Sequence, residues 1–219
     1  MNIKLAIFDF DGTLADTRQA IIAAKQEAMQ RNDLPVLDEA ACASTIGYTA
    51  REGFRRLYPD AAEAVLDSVT ADYRALFEEK KQIMPPTLFP GVVEMLDTLH
   101  GMGITCTIAT ARHTDSCYEI LGNLGIRDRF SYILCGESTQ NLKPHPEAVL
   151  KTLADLHFAP EEAMVIGDMP MDILMGKGAD AYACGVTYGN ADRETLLAAG
   201  ADFVIDHIAA LAGVIRGEA

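Results

Sequence analysis

The second half of the chain sets the tightest limit on what it can fold into. From Gly91 onward, short apolar runs alternate with helical patterns. VVEMLDTLH reads as helix, ITCTIAT as strand, TDSCYEILGNLG as helix and YILC as strand; PEAVLKTLADL, AMVIGD, MDILMGKGA, AYACGV, ETLLAAG, DFVI and IAALAGVI continue the alternation. Strands separated by helices of about ten residues pair in parallel through right-handed crossovers. The strand runs are apolar throughout, as strands are when helices cover both faces of their sheet. KLAIFDF near the start adds one more strand of the same character. The expected class is therefore α/β with a parallel-sheet core.

A different pattern interrupts this core early. TRQAIIAAKQEAMQRN reads as a helix, with Thr17 as candidate cap and Ile21, Ile22, Ala28 and Met29 turned inward. From Leu34 to Pro86 no strand is evident. TAREGFRRLY places Ala50, Phe54, Leu57 and Tyr58 on one helical face, and AEAVLDSVTADYRALFEEKK keeps helical spacing from Ala62 to Phe77. Asp60 and Glu63 resemble a capping pair at the start of that second helix. Met84-Pro85-Pro86 then breaks the pattern. The expected organisation is a core of residues 1–15 and 87–219 with a helical insert over 16–86.

Charge narrows the partners. The 219 residues carry a formal net charge of −14, which argues against nucleic acid and anionic membrane surfaces. A local site can still be cationic, so an anionic small substrate remains open. No apolar run approaches the roughly 18–20 residues of a membrane span, and MNIKLAIFDF reads as a strand rather than a leader. The five cysteines are widely spaced, with no C-x-x-C pair. They fit buried apolar positions in a reducing compartment, and a cytoplasmic location is expected.

The polar residues collect at one edge. In an open parallel sheet, ligands bind beyond the carboxyl ends of the strands. Strand KLAIFDF carries Asp9 at its end with Asp11 just beyond it, ITCTIAT ends on Thr110, and AMVIGD ends on Asp168 with Asp172 one helical turn later. The loop after YILC carries Lys143 in KPHPE. Asp11-Gly12 alone would also suit a hairpin turn, but a helix follows where the hairpin needs a strand. Clustered carboxylates with one ammonium and one hydroxyl suit phosphoryl transfer. A carboxylate can act as nucleophile, a hard cation such as Mg²⁺ neutralises the cluster, and lysine and hydroxyl hold phosphate oxygens. The turn that aims Lys143 inward predicts a cis Lys143-Pro144 peptide.

DFDGT, Thr110, KPHPE and GDMPMD, in that order, resemble the four sequential motifs of the haloacid dehalogenase superfamily. GVTYGN followed by GADFVID is similar to the tail of its phosphoglycolate-phosphatase-like branch. The resemblance implies a Rossmann-like core, a helical cap domain at the insert, and a Mg²⁺-dependent phosphatase working through an aspartyl-phosphate. It implies Asp9 as nucleophile and metal ligand, and Asp11 as acid/base with its backbone carbonyl on the metal. Thr13 would orient Asp11 or the flexible loop, while Thr110 and the N–H of Ala111 would bind the phosphoryl group. Lys143 would bridge phosphate and Asp9, Asp168 would bind the metal, and Asp172 would support metal or lysine. Gly47 and Arg51 fall in the cap loop that would close over substrate. The chain departs from the family pattern at Ala111-Arg112, where Asn, Gly or Ser usually follows the threonine. Arg112 either adds positive potential at the site or is solvated.

The substrate expected is a small phosphorylated metabolite, phosphoglycolate-like, acted on by a monomer or weak dimer. A sugar-phosphate phosphomutase and an inorganic pyrophosphatase are the alternatives. Mutases of the family usually carry a histidine where this chain has Ile21 and a valine where it has Thr13, and both differences favour hydrolysis. Dehalogenases lack the second aspartate that Asp11 supplies. His113 and His145 lack metal-ligand spacing, and the methionines of GDMPMDILM have the spacing of packing residues.

Overall fold

The computed structural model describes residues 1–218. Strand β1 (Leu5–Phe8) leads through a tight turn into the two-residue strand β2 (Ala15–Asp16). Four helices follow: α1 (Arg18–Arg31), α2 (Glu39–Ala43), α3 (Ala50–Leu57) and α4 (Glu63–Ile83). The two-residue strand β3 (Thr87–Leu88) then returns the chain to α5 (Val92–Gly101), β4 (Thr105–Ala109) and α6 (Thr114–Asn123). The remaining elements are β5 (Tyr132–Leu134), α7 (Glu147–Leu156), β6 (Ala163–Gly167), α8 (Pro170–Gly178), β7 (Tyr182–Val186), α9 (Arg193–Ala198), β8 (Phe203–Ile205) and α10 (Leu211–Arg216).

Six strands form one sheet in the order β5-β4-β1-β6-β7-β8, every neighbouring pair parallel. This is the Rossmann-like α/β core expected from the alternation. Strand β1 sits between β4 and β6, with Leu5 opposite both Thr105 and Ala163. Its Leu5, Ala6, Ile7 and Phe8 are fully buried. Burying a side chain such as Leu5, Ile7 or Phe8 contributes roughly 1.5–3 kcal/mol, and alternate residues serve opposite sheet faces. Ala6 and Phe8 join the larger cluster, while Leu5 and Ile7 join the smaller one with Val149, Val165 and Met175.

The insert packs mainly through α1 on α4 and α3 on α4. Its Phe54, Leu66 and Leu76 belong to the same apolar cluster as Phe8 and Leu96 of the core. Asp38 caps α2 and Thr49 caps α3, each accepting a backbone N–H from the first turn. Two local expectations fail. Thr17 precedes α1 but makes no cap bond, because its hydroxyl donates to Asp11 instead. Asp60 and Glu63 form no capping pair: α4 starts at Glu63, whose carboxylate is held by Arg51 and Arg55.

The ribbon β2/β3 has no counterpart in the sequence reading. Ala15 pairs with Leu88 and Asp16 with Thr87, antiparallel, where the chain leaves and re-enters the core. The turn at Asp11-Gly12 does lead to a strand, but its partner is β3 rather than β1. No helix among the described residues is long and apolar enough to cross a membrane.

Candidate active site at the carboxyl edge of the sheet

Each strand end delivers one group. Beyond β1, the Asp9 N–H still donates to Ile166 O at 2.8 Å, so the sheet holds Asp9 rigidly against the end of β6. Beyond β6 come Asp168 and, in the first turn of α8, Asp172. Carboxylate oxygens of Asp9, Asp168 and Asp172 lie within 4.8 Å of one another, and all three residues are buried. Lys143 reaches in from the loop after β5, just before a cis bond to Pro144 as expected. Its Nζ donates to Asp9 Oδ1 at 2.6 Å and to Asp172 Oδ1 at 2.7 Å.

The remaining oxygens define what each acid can do. Both oxygens of Asp172 are taken, Oδ1 by Lys143 and Oδ2 by the Met169 N–H at 3.1 Å. Asp168 Oδ2 accepts from the backbone and the side-chain amide of Asn190, each at 2.8 Å, and Oδ1 accepts from the Thr13 hydroxyl at 3.2 Å. Asp9 Oδ2 is buried and accepts from no described residue. A buried carboxylate oxygen without a donor is costly, and a set of hard oxygens around it suits a small divalent cation such as Mg²⁺. The residues therefore fit the metal that the resemblance implies.

Electrostatics agree with that reading. Burial, reinforced by the charges of Asp172 and Asp168, holds the Asp9 carboxyl well above the usual carboxylate range despite Lys143. Burial and the Asp172 charge push Asp168 up to about 7, against the donors from Asn190 and Thr13. Burial pulls on Lys143 in the opposite sense, but Asp172 and Asp9 outweigh it and hold the ammonium above its ordinary value. The acids crowd one another, and a cation placed among them relieves that strain.

The turn between Asp11 and Thr13 tolerates only glycine. Gly12 has φ +87°, and a Cβ there would lie 2.3 Å from Asp168 Oδ2 and 2.7 Å from Asn190 Nδ2. Tyr188 anchors the same turn, its hydroxyl donating to Thr13 O at 2.8 Å.

Asp11 stands apart from the acid trio. Arg112 grips it with both ends of the fork, Nη2 to Oδ1 at 2.5 Å and Nε to Oδ2 at 3.0 Å, and Thr17 adds a hydroxyl at 2.6 Å. Arg112 is itself held by Ser116 and lies over the Phe77 ring at 4.6 Å. Of the two readings open for Arg112, the structure excludes solvation: the side chain is buried to 7% exposure. Burial alone would pull its guanidinium down, but Asp11 holds it above its ordinary value. Thr110 Oγ1 accepts from the Arg112 N–H at 3.2 Å, which fixes the turn containing Ala111.

A cavity of about 300 Å³ opens between this edge and the helical insert. Asp11, Thr110, Ala111 and Arg112 line it from the core, and Lys25 and Gly47 from the insert. Gly47 rests on α8, its Cβ direction 3.2 Å from Met171 Sδ, so these methionines pack beneath the insert loop. Arg51 does not reach the cavity: its guanidinium is engaged by Glu63 at 2.5 Å and Asp67 at 2.9 Å on the outer surface. His113 lines the same cavity and pairs with Glu137 at 2.8 Å, while His145 makes a local contact with the Glu147 N–H.

Three site residues escaped the sequence reading. Asn190 lies in GVTYGN, a stretch read only as part of a tail, although it follows β7 on the edge where ligands bind. Thr17 stands at the cap position of α1, so nothing in the sequence marks its bond to Asp11. Lys25 interrupts the inward stripe of Ile21, Ala28 and Met29, and a charge on an apolar stripe was the available signal.

Comparisons with known proteins agree with this architecture. The family model described as "Haloacid dehalogenase-like hydrolase" matches residues 6–186. "Probable phosphatase IndB" of Dickeya dadantii is 34% identical over 212 residues, covering 95% of this chain and 92% of the relative. A phosphoglycolate phosphatase of Vibrio vulnificus is 31% identical over 219 residues, covering 97% and 96%. The crystal structure of a hydrolase from Pseudomonas syringae superimposes with a TM-score of 0.88 at 25% identity, covering 99% of each chain. With the family model spanning most of its length and the motif residues meeting at one sheet edge, the chain belongs to the haloacid dehalogenase-like hydrolase family.

Proposed function

We propose that the protein is a Mg²⁺-dependent phosphatase that hydrolyses a small phosphorylated metabolite of the phosphoglycolate type. One observation carries the reading: Asp9 has one oxygen fixed by Lys143 and the other free of protein donors, beside Asp168. That is the posture of a nucleophile oriented by its neighbours. The names of the relatives support the phosphatase activity and the substrate class.

The chemistry divides among the residues. One carboxylate oxygen of Asp9 attacks phosphorus, the other remaining among the cation's would-be ligands; the bond from phosphorus to the leaving oxygen breaks, and an aspartyl-phosphate forms. Asp11, once one arm of Arg112 lets go and the freed oxygen takes up a proton from solvent, donates that proton to the leaving oxygen. It later takes a proton from the water that attacks the aspartyl-phosphate, which frees inorganic phosphate and restores Asp9. Thr110 and the N–H of Ala111 hold the phosphoryl oxygens, with Lys143 as a point charge. Asp9, the backbone carbonyl of Asp11 and Asp168 would hold the cation, with Asp172 and Asn190 keeping the ligands oriented. When bound, Mg²⁺ supplies positive charge that neutralises the carboxylates and the phosphoryl oxygens. The insert over residues 16–86 acts as a cap that excludes water and meets the leaving group.

The test is phosphate release across a panel of phosphorylated metabolites, with Mg²⁺ and with excess chelator. Asp9→Asn should keep the fold and lose turnover. Near-normal hydrolysis by a well-folded Asp9→Asn protein, or full activity in chelator, refutes the reading.

A further inference from the structure

Three lysines are buried in the described residues. Lys81 pairs with Glu78 and Glu119, and Lys143 with Asp9 and Asp172. Lys25 is the exception. It is 3% exposed, and no described carboxylate lies within ion-pair reach of it. Its Nζ donates to Cys42 O at 2.9 Å and Thr45 Oγ1 at 2.6 Å. An ammonium has three donors, so one N–H is left over in a side chain that lines the cavity beside the transfer site. The one carboxylate that acts on it through space, after the Cys42 thiol, is Asp11, and Arg112 already grips that carboxylate with two hydrogen bonds.

An uncompensated buried cation is unfavourable in a resting protein, and a helix stripe offers Leu or Met as cheaper fillings. A cation in this position has a use when a ligand brings the missing charge. The transferring phosphoryl group already has Lys143, Thr110 and the acid-held cation, so the charge Lys25 awaits belongs to the other end of the substrate. We propose that Lys25 is the docking point for a second anionic group carried by the leaving group, a carboxylate or a second phosphate, so that the enzyme selects monoesters of anionic alcohols. The inference rests on the phosphatase reading above and names its substrate class. Lys25 remains charged in neutral solution, since burial lowers it only to about 8.

Three esters of one carbon skeleton separate the possibilities: phosphoglycolate, 1,2-ethanediol bisphosphate and ethyl phosphate. Lys25→Gln keeps donors for Cys42 O and Thr45 and removes the charge. It should lower kcat/KM at least about tenfold on phosphoglycolate or the bisphosphate, and leave ethyl phosphate within about twofold. Whichever anionic ester loses more identifies the anion. Equal losses on all three esters, or none on either anionic one, overturn the inference. Should Lys25→Gln fail to fold, the wild-type enzyme gives a second readout. Glycolate should inhibit ethyl phosphate hydrolysis competitively at concentrations where ethanediol does not, and equal potency overturns the inference. Wild-type protein that prefers ethyl phosphate to both anionic esters refutes this proposal alone. Protein that releases phosphate from no ester of any panel refutes the phosphatase reading and this inference with it.

Discussion

Lys143→Met tests whether one ammonium holds the acid cluster together. The side chain is 5% exposed and bonds two carboxylates that are themselves 1–2% exposed. Methionine fills the volume but leaves both acids without their counter-charge. Removing one partner of a buried pair costs about 3–5 kcal/mol. For a chain of this length each kcal/mol lowers Tm by about 2–4 °C, so the metal-free variant should melt roughly 6–20 °C below wild type at pH 8. The pH dependence gives the mechanism its sign. Without Lys143, Asp9 moves still further above its unfolded value. A carboxyl whose folded pKa exceeds its unfolded one binds protons more tightly when folded, so its contribution falls as pH rises. The deficit should therefore be full at pH 8 and shrink toward pH 4, near the unfolded carboxyl value. Saturating Mg²⁺ should recover part of it at pH 8 by supplying another positive charge. Thermal melts of both proteins at the two pH values, with and without Mg²⁺, decide the matter. A metal-free variant with wild-type Tm at pH 8, or a deficit that grows on acidification, would refute the argument.

Other outcomes follow from the same geometry. Ca²⁺ should inhibit where Mg²⁺ activates, because it takes more oxygens at longer distance than the fixed acids beside Asp9 can supply; equal rates with the two ions would contradict this. Arg51→Ala should leave KM within about twofold for every ester, since its guanidinium already serves Glu63 and Asp67 away from the cavity; a rise in KM for one substrate class would bring Arg51 back to the binding surface. The KM for an anionic ester should climb between about pH 7 and 9 as Lys25, lowered to about 8 by burial against the opposing charges of Cys42 and Asp11, loses its proton. The KM for ethyl phosphate should stay level over that range, and parallel profiles would assign the titration to the core.

The parallel sheet was legible because strands covered on both faces must be apolar along their whole length, and helices of regular spacing separated them. The residues at their carboxyl ends could be named for the same reason. What stayed hidden depended on partners distant in sequence. Two residues carry no period, so Ala15–Asp16 and Thr87–Leu88 could not announce a ribbon. Thr17 stands where a cap belongs, yet Asp11 is the stronger acceptor within its reach. The helix α3 is amphipathic, and its Arg51 reads equally well as a ligand contact or as a partner for acids on α4; only packing decides between them. Arg112 looked equally at home in water, and its burial depends on Phe77, contributed by α4.

The ribbon also bears on the topology of the chain. Asp16 and Thr87 face each other across one rung, so residues 17–86 depart and return through adjacent positions. In connectivity the whole insert is a hairpin loop, enlarged until it holds four helices. A two-residue turn could in principle join the same two strand ends, and the order of the six core strands would be unchanged. The stretch that walls the cavity from above can thus be rewritten, lengthened or exchanged as one cassette while every strand beneath it keeps its neighbours.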